Sequence, residues 1–167
     1  MEEWLIVDGY NIIGAHEYWK TLPLEEARVQ LIELLSEYQA SSGRRVTLVF
    51  DAHRTAGGES RETLGNITVR YTREHETADQ LIERLVKKNR ASGRRLYVAT
   101  SDYLEQRMIF GQGAYRLSAR ELLQEMKNMK KEVAKRIDED KQGRKRTLGQ
   151  GLTQEILERL ESIRRKK

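Results

Sequence analysis

The chain has 167 residues, 38% of them hydrophobic and 34% charged, enough for one domain with a real core and an appendage. It has no cysteine, which excludes disulfides, thiolate zinc sites and cysteine nucleophiles and makes a reducing cytoplasm the default compartment. No apolar run approaches membrane-spanning length, and the opening Met-Glu-Glu-Trp lacks the basic-then-apolar layout of a signal peptide. The net charge of +5 is uneven: from Ala119 onward 15 Lys and Arg face 9 Asp and Glu, while the preceding residues are nearly neutral. Such a basic tail suits a polyanion, nucleic acid foremost, although a solvated helical face has the same composition.

In chain order, Trp4 to Val7 is a short apolar run that ends in Asp8. It reads as a buried strand, with Gly9 letting the backbone turn into a short helix or turn from Tyr10 to about Trp19. Pro23 marks a helix start, and Leu24, Ala27, Leu31, Leu34 and Leu35 recur at helical spacing to about Gln39, before Ser41-Ser42-Gly43. Val46 to Phe50 is a second buried strand, again ending in a carboxylate, Asp51. A polar stretch from Ala52 to Asn66 reads as a loop, and Ile67 to Tyr71 as a third strand. Thr77-Ala78-Asp79 opens a helix with Leu81, Ile82, Leu85 and Val86 on one face.

The motif Ser-Gly-Arg-Arg before a strand occurs twice, at Ser42–Arg45 and Ser92–Arg95. The second leads into Leu96 to Thr100, a fourth strand with polar terminus Thr100-Ser101-Asp102. A short helix to Phe110, capped by Ser101, and a fifth strand from Ala114 to Leu117 follow. Ser118 caps a charged helix from Ala119 to about Asp140, Lys141 to Gly151 reads as a basic linker, and Leu152 to Lys167 as a last helix. Alternating strands and helices, with apolar strands, predict an α/β fold with a parallel sheet covered on both faces. Phosphate-binding glycine fingerprints are absent, which argues against dinucleotide and nucleoside triphosphate enzymes.

Asp8, Asp51 and Asp102 each follow a buried strand, and Asp79 stands in the first turn of a helix that follows one. A parallel sheet brings all four to one edge, the edge where open α/β sheets bind ligands. Converging carboxylates repel one another unless a cation joins them, and Mg²⁺ or Mn²⁺ is the natural choice for oxygen donors. Asn11, Thr100 and Ser101 can orient ligand waters or a phosphate without adding charge. Each acid also has a structural alternative, as a turn cap or a favourable charge at a helix N-terminus. His16, His53 and His75 have no metal-ligand spacing and read as exposed, His53 being the one that could line the site. Arg54 and Arg61, in the loop from Ala52 to Asn66, are candidates to clamp a nucleic-acid backbone. Tyr10, Tyr71 and Tyr103 could stack on bases or simply pack.

Asp8-Gly9-Tyr10-Asn11, Val49-Phe50-Asp51, Thr77-Ala78-Asp79 and Thr100-Ser101-Asp102, in that order and spacing, resemble the NYN domain, a relative of PIN-type ribonucleases. The basic helical C-terminus further resembles the bacterial YacP-like branch. The resemblance implies a PIN-like three-layer α/β/α sandwich with a five-stranded parallel sheet in residues 1–126, and a basic helical extension in 127–167. It implies metal-dependent endoribonuclease chemistry, with Asp8, Asp79 and Asp102 as the acidic metal-binding cluster, Asn11 beside it and Asp51 at a further acidic position. It also implies a link to the ribosome, since YacP-like proteins are regarded as ribosome-associated mRNA endonucleases.

The expectation is thus a cytoplasmic endoribonuclease, its oligomeric state open with a monomer favoured. A metal-activated water attacks the phosphodiester, leaving 5′-phosphate and 3′-hydroxyl ends, and Arg54, Arg61, Lys141, Arg144, Lys145 and Arg146 hold mRNA or ribosomal RNA. The alternative is a non-catalytic RNA- or ribosome-binding module on a nuclease-like fold. A phosphoryl-accepting receiver domain also sets aspartates at strand ends, but it needs a lysine after a late strand that this chain lacks there.

Overall fold

The computed structural model describes residues 2–52, 60–101 and 113–165; for 60–64, 145–155, 157 and 165 it describes the backbone alone. Two compact units divide the chain, Met1–Lys127 and Asn128–Lys167. The first is built on strands β1 (Glu3–Asp8), β2 (Arg45–Phe50), β3 (Ser60–Leu64), β4 (Ile67–Tyr71), β5 (Arg95–Ala99) and β6 (Tyr115–Leu117). They form one sheet in the order β3-β4-β2-β1-β5-β6. Five strands are parallel, as expected, and β3 adds an antiparallel edge through its pairing with β4. The stretch from Ala52 to Asn66 is therefore not all loop. Gly65, at φ +60, and Asn66 close a two-residue hairpin between Leu64 and Ile67.

Among the described residues the helices are α1 (Gly9–Ala15), α2 (Leu24–Ser42), α3 (Ala78–Asn89) and α4 (Ala119–Arg165), with a 3₁₀ turn at Trp19–Thr21. Helix α3 lays Leu81, Ile82, Leu85 and Val86 on Trp4, Ile6, Val49, Leu96 and Val98. Each of those four side chains contributes about 1.5–3 kcal/mol on burial. The strand residues of opposite parity, Leu5, Val7, Leu48 and Phe50, are buried on the other face, which α1 and α2 cover. Helices thus cover both faces, the three-layer α/β/α arrangement that the sequence predicts.

The repeated Ser-Gly-Arg-Arg motif has one structural meaning. Gly43 and Gly93 both take φ +75, a left-handed conformation that costs glycine little, and each turns a chain leaving a helix into a strand beside β1. At that N-terminal rim Arg44 Nε donates to Glu3 Oε2 at 2.8 Å and Arg44 Nη1 to Tyr38 Oη at 2.8 Å. Tyr38 Oη in turn donates to Glu125 Oε2 at 2.8 Å, so α2, β1 and the first turns of α4 are tied together. Burial, reinforced by the Glu125 carboxylate, pushes the Tyr38 phenol up to about 12.

Two further expectations from the sequence are corrected. Residues Lys141 to Gly151 are not a linker but part of α4, which is continuous to Arg165. Glycine costs a helix only about 1 kcal/mol relative to alanine, and the Lys, Arg, Gln and Leu residues around Gly143, Gly149 and Gly151 are good helix formers. In the second unit Val133, Ile137, Ile156, Leu160 and Ile163 are exposed.

His16 is half-buried rather than exposed, and it is structural. Its Nδ1 accepts from the backbone N–H groups of Tyr18 at 3.2 Å and Trp19 at 3.0 Å, and its ring stacks on Trp19 at 3.9 Å. Burial holds its pKa below the ordinary 6.5, with Glu17 opposing. Protonation of Nδ1 removes the acceptor. The stability this contact contributes is therefore complete above the unfolded value of about 6.5 and is lost as pH falls through the lower folded value. An NMR titration should place the His16 ring below 6.5; titration at or above that value contradicts this account. His75, by contrast, is exposed as expected.

Candidate carboxylate site at the sheet edge

Asp8 is the last residue of β1, and only 7% of it is exposed. It occupies the N-cap position of α1, yet its side chain makes no capping hydrogen bond. The commonest structural role of an aspartate at such a turn is therefore not the one it plays. The turn itself is made possible by Gly9. A Cβ there would lie 2.6 Å from Cδ1 of Phe50 and 3.0 Å from the Val49 carbonyl oxygen.

Strand parity gathers the polar residues on one face. Trp4 and Ile6 point to α3, so Asp8 does too. Val49 points to α3, and Asp51 continues that alternation two residues further on. Leu96 and Val98 do the same on β5, which puts Thr100 on the α3 side. Register sets their heights. Asp8 pairs with Val49, and Thr100 follows Ala99, the partner of Val7, so Asp8 and Thr100 are level. Asp51 stands about 7 Å higher along the strand direction. It is half-buried, and Ala52 N donates to Thr72 Oγ1 at 2.8 Å just beyond it.

Asp79 comes to the same face from α3. Thr77 is the N-cap of that helix and forms a complete capping box with Gln80, which fixes where the first turn begins. Ala78 is buried against the sheet and Asp79, the next residue, is exposed. Asn11, in the first turn of α1, accepts a 2.6 Å hydrogen bond at Oδ1 from the backbone N–H of Ser101. That bond ties the start of α1 to the segment leaving β5, 90 residues away in sequence. Thr100 is fully buried and donates its N–H to the Leu117 carbonyl at 3.0 Å. Asp102 lies outside the described residues, as do Tyr103, His53 and Arg54.

Asp8, Asp51, Asp79, Asn11, Thr100 and Ser101 thus stand at one edge of the sheet. Its donors are oxygens, which suit Mg²⁺ or Mn²⁺ rather than a thiophilic metal. Among the described residues no three His, Asp or Glu side chains form a ready-made metal site. Asp8 and Asp79 are the described members of the expected trio.

The described candidates for RNA binding lie on β3 and α4. Arg61 is on β3, its backbone paired with Arg70. Lys141 and Arg144 are exposed on α4, and Lys145 and Arg146 are further along that helix. Tyr10 and Tyr71 both pack against Phe50, at centroid distances of 4.9 and 5.8 Å, and Tyr10 Oη accepts from Arg28 Nη1 at 2.8 Å. Both therefore act in packing. Among the described residues no helix is long and apolar enough to cross a membrane.

Comparison with known proteins agrees with this geometry. The family model for a YacP-like NYN domain matches residues 5–165. The uncharacterized protein YacP of Bacillus subtilis (strain 168) is 47% identical over 136 residues, 80% of each chain. The crystal structure of Rae1 (YacP) from Bacillus subtilis superposes with a TM-score of 0.76 at 42% identity, covering 99% of this chain and 95% of that one. The crystal structure of a point mutant of the same Bacillus subtilis protein gives 0.75 at 44% identity over 83% and 84% of the two chains. The chain belongs to the YacP-like NYN domain family, and its domain is of the nuclease type.

Proposed function

We propose that this protein is a cytoplasmic, metal-dependent endoribonuclease that cleaves mRNA in association with the ribosome. The observation that carries the reading is Asp8, a buried carboxylate at the ligand-binding edge of a parallel sheet that makes no capping bond. Asp51, Thr100 and the first turn of α3 share its face. Burying a charge is costly, and a position that accepts the cost without a capping role is a functional candidate. Asp8, Asp79 and Asp102 would hold Mg²⁺ or Mn²⁺. Such an ion, when bound, lowers the pKa of a water and offsets the charge that builds on a phosphodiester under attack.

The chain's own residues supply position. Asn11 anchors Ser101, the Thr77 capping box sets the height of Asp79, and Gly9 lets Asp8 reach the edge. Asp51 supports the site from one side. Arg54, Arg61, Lys141, Arg144, Lys145 and Arg146 would bind RNA backbone or ribosomal RNA. The expected products carry 5′-phosphate and 3′-hydroxyl ends.

The exposed basic residues of α4, Lys141 and Arg144 among them, suit a second reading, a non-catalytic RNA- or ribosome-binding module, since they offer binding charge with no chemistry attached. Cleavage decides between the two. A reporter mRNA is incubated with the protein and Mn²⁺, with and without translating ribosomes, and its ends are mapped. Discrete internal cuts that EDTA abolishes support the nuclease. An intact message in both arms, with the protein sedimenting with ribosomes, supports the module.

A further inference from the structure

A cationic groove lies on the α3 face of the sheet, lined by none of the candidate carboxylate-site residues. It encloses about 210 Å³ between α3 and strands β1, β2 and β4. Arg45, Arg70, Lys88 and Arg94 contribute charge to its lining, and Thr47 and Thr68 contribute hydroxyls; among the described residues no acidic side chain lines it. Glu2 approaches from the rim, its carboxylate 3.1 Å from Arg94 Nε and 3.9 Å from Arg45 Nη1. The charged side chains that line the groove are all basic among the described residues.

Register shows where the groove leads. Thr47 pairs with Thr68 and Val49 with Arg70, and Val49 also pairs with Asp8. Arg70 therefore stands level with Asp8, two strands away on the same face, about 10 Å across the sheet. Arg45 begins β2, four residues below the level of Arg70, or about 13 Å along the strand direction. The groove thus descends from the height of the carboxylate edge to the N-terminal rim. The rim is where the repeated Ser-Gly-Arg-Arg motif delivers Arg45 and Arg94. An extended, multiply anionic ligand fits this shape better than one small anion, since the charge is spread over a length that holds several backbone phosphates.

We infer that this groove binds the phosphodiester backbone of single-stranded RNA and carries the strand from the carboxylate edge down beside α3. The inference rests on the nuclease reading for the identity of the ligand, and its test does not depend on cleavage. Binding of a fluorescent 12-nucleotide RNA is measured by anisotropy in EDTA, across a range of salt. The wild type is compared with the double variant Arg45→Ser, Lys88→Ser; both side chains are exposed, so folding is retained. The variant should bind about tenfold more weakly at low salt, equally for all sequences. The slope of log affinity against log salt should fall by about 1.4, at about 0.7 for each phosphate no longer neutralised. Equal affinity and slope in the two proteins overturn the groove.

A second measurement needs no variant. RNA carrying 4-thiouridine should crosslink to peptides from β4 or α3, and crosslinks confined to α4 overturn the groove. A wild type that binds through these residues but never cuts RNA leaves the groove standing and removes the nuclease reading. One that cuts, with groove variants binding normally, does the reverse.

Discussion

Asp8→Asn should abolish RNA cleavage while leaving the fold intact, with turnover falling about 10²–10³-fold or more, the scale on which single preorganised charges act in catalysis. Asparagine has the shape of aspartate, so the packing of a residue only 7% exposed is retained. The substitution removes a charge that burial penalises, and the side chain makes no capping bond to lose. The melting temperature should stay close to that of the wild type. End-labelled RNA cleavage and a thermal melt on the same preparation read both effects. A variant that cleaves like the wild type removes Asp8 from the machinery. One that loses cleavage only because it unfolds leaves the loss unrelated to chemistry.

Gly9→Ala should have the largest effect on stability for a one-carbon change, about 1–3 kcal/mol in chemical denaturation, as expected for overpacking a closed core. The new methyl would enter the ring of Phe50, which is fully buried and packed against Tyr10 and Tyr71. The Val49 carbonyl lies close as well, so neither neighbour can withdraw freely. Phe50→Leu in the same chain should recover part of the loss by opening space at the ring edge. A double-mutant cycle should then show coupling of at least about 0.5 kcal/mol. A Gly9→Ala variant as stable as the wild type would mean that the β1–α1 turn can shift, and that the position of Asp8 is less constrained than argued.

Much of the fold was legible because its signals are local. The apolar runs before Asp8, Asp51 and Thr100 predict β1, β2 and β5, and the structure has them there. Thr77 and Gln80 stand at capping-box spacing ahead of the face of α3. The strand β3 was harder to see, because Ser60–Leu64 offers a single apolar residue at its end. The Gly65-Asn66 pair between it and β4 was the available sign of a hairpin. Glycine and charge between Lys141 and Gly151 suggested a linker, but a few glycines do not outweigh the helix formers around them.

The candidate site divides along the same line. That several carboxylates share an edge follows from strand order and alternation, both of which the sequence carries. Their relative heights do not, since register is set by tertiary pairing, and Asp51 stands two residues above Asp8 for that reason. Asn11 was expected to help at the site, and its observed partner is a backbone N–H 90 residues away that no periodicity predicts. His16 looked exposed because a histidine in a turn gives no sign that two N–H groups converge on it. The groove draws Arg45, Arg70, Lys88 and Arg94 from separate segments, so only the fold assembles it.

The proposed chemistry requires a divalent ion at the edge that Asp8 anchors. Crystals soaked in millimolar Mn²⁺ and measured at the manganese absorption edge test it directly. The prediction is an anomalous peak within coordination distance of the Asp8 carboxylate, on the α3 side of the sheet, absent from Asp8→Asn crystals soaked alike. An edge with no peak at that concentration, or a peak that persists unchanged without the Asp8 carboxylate, would contradict it.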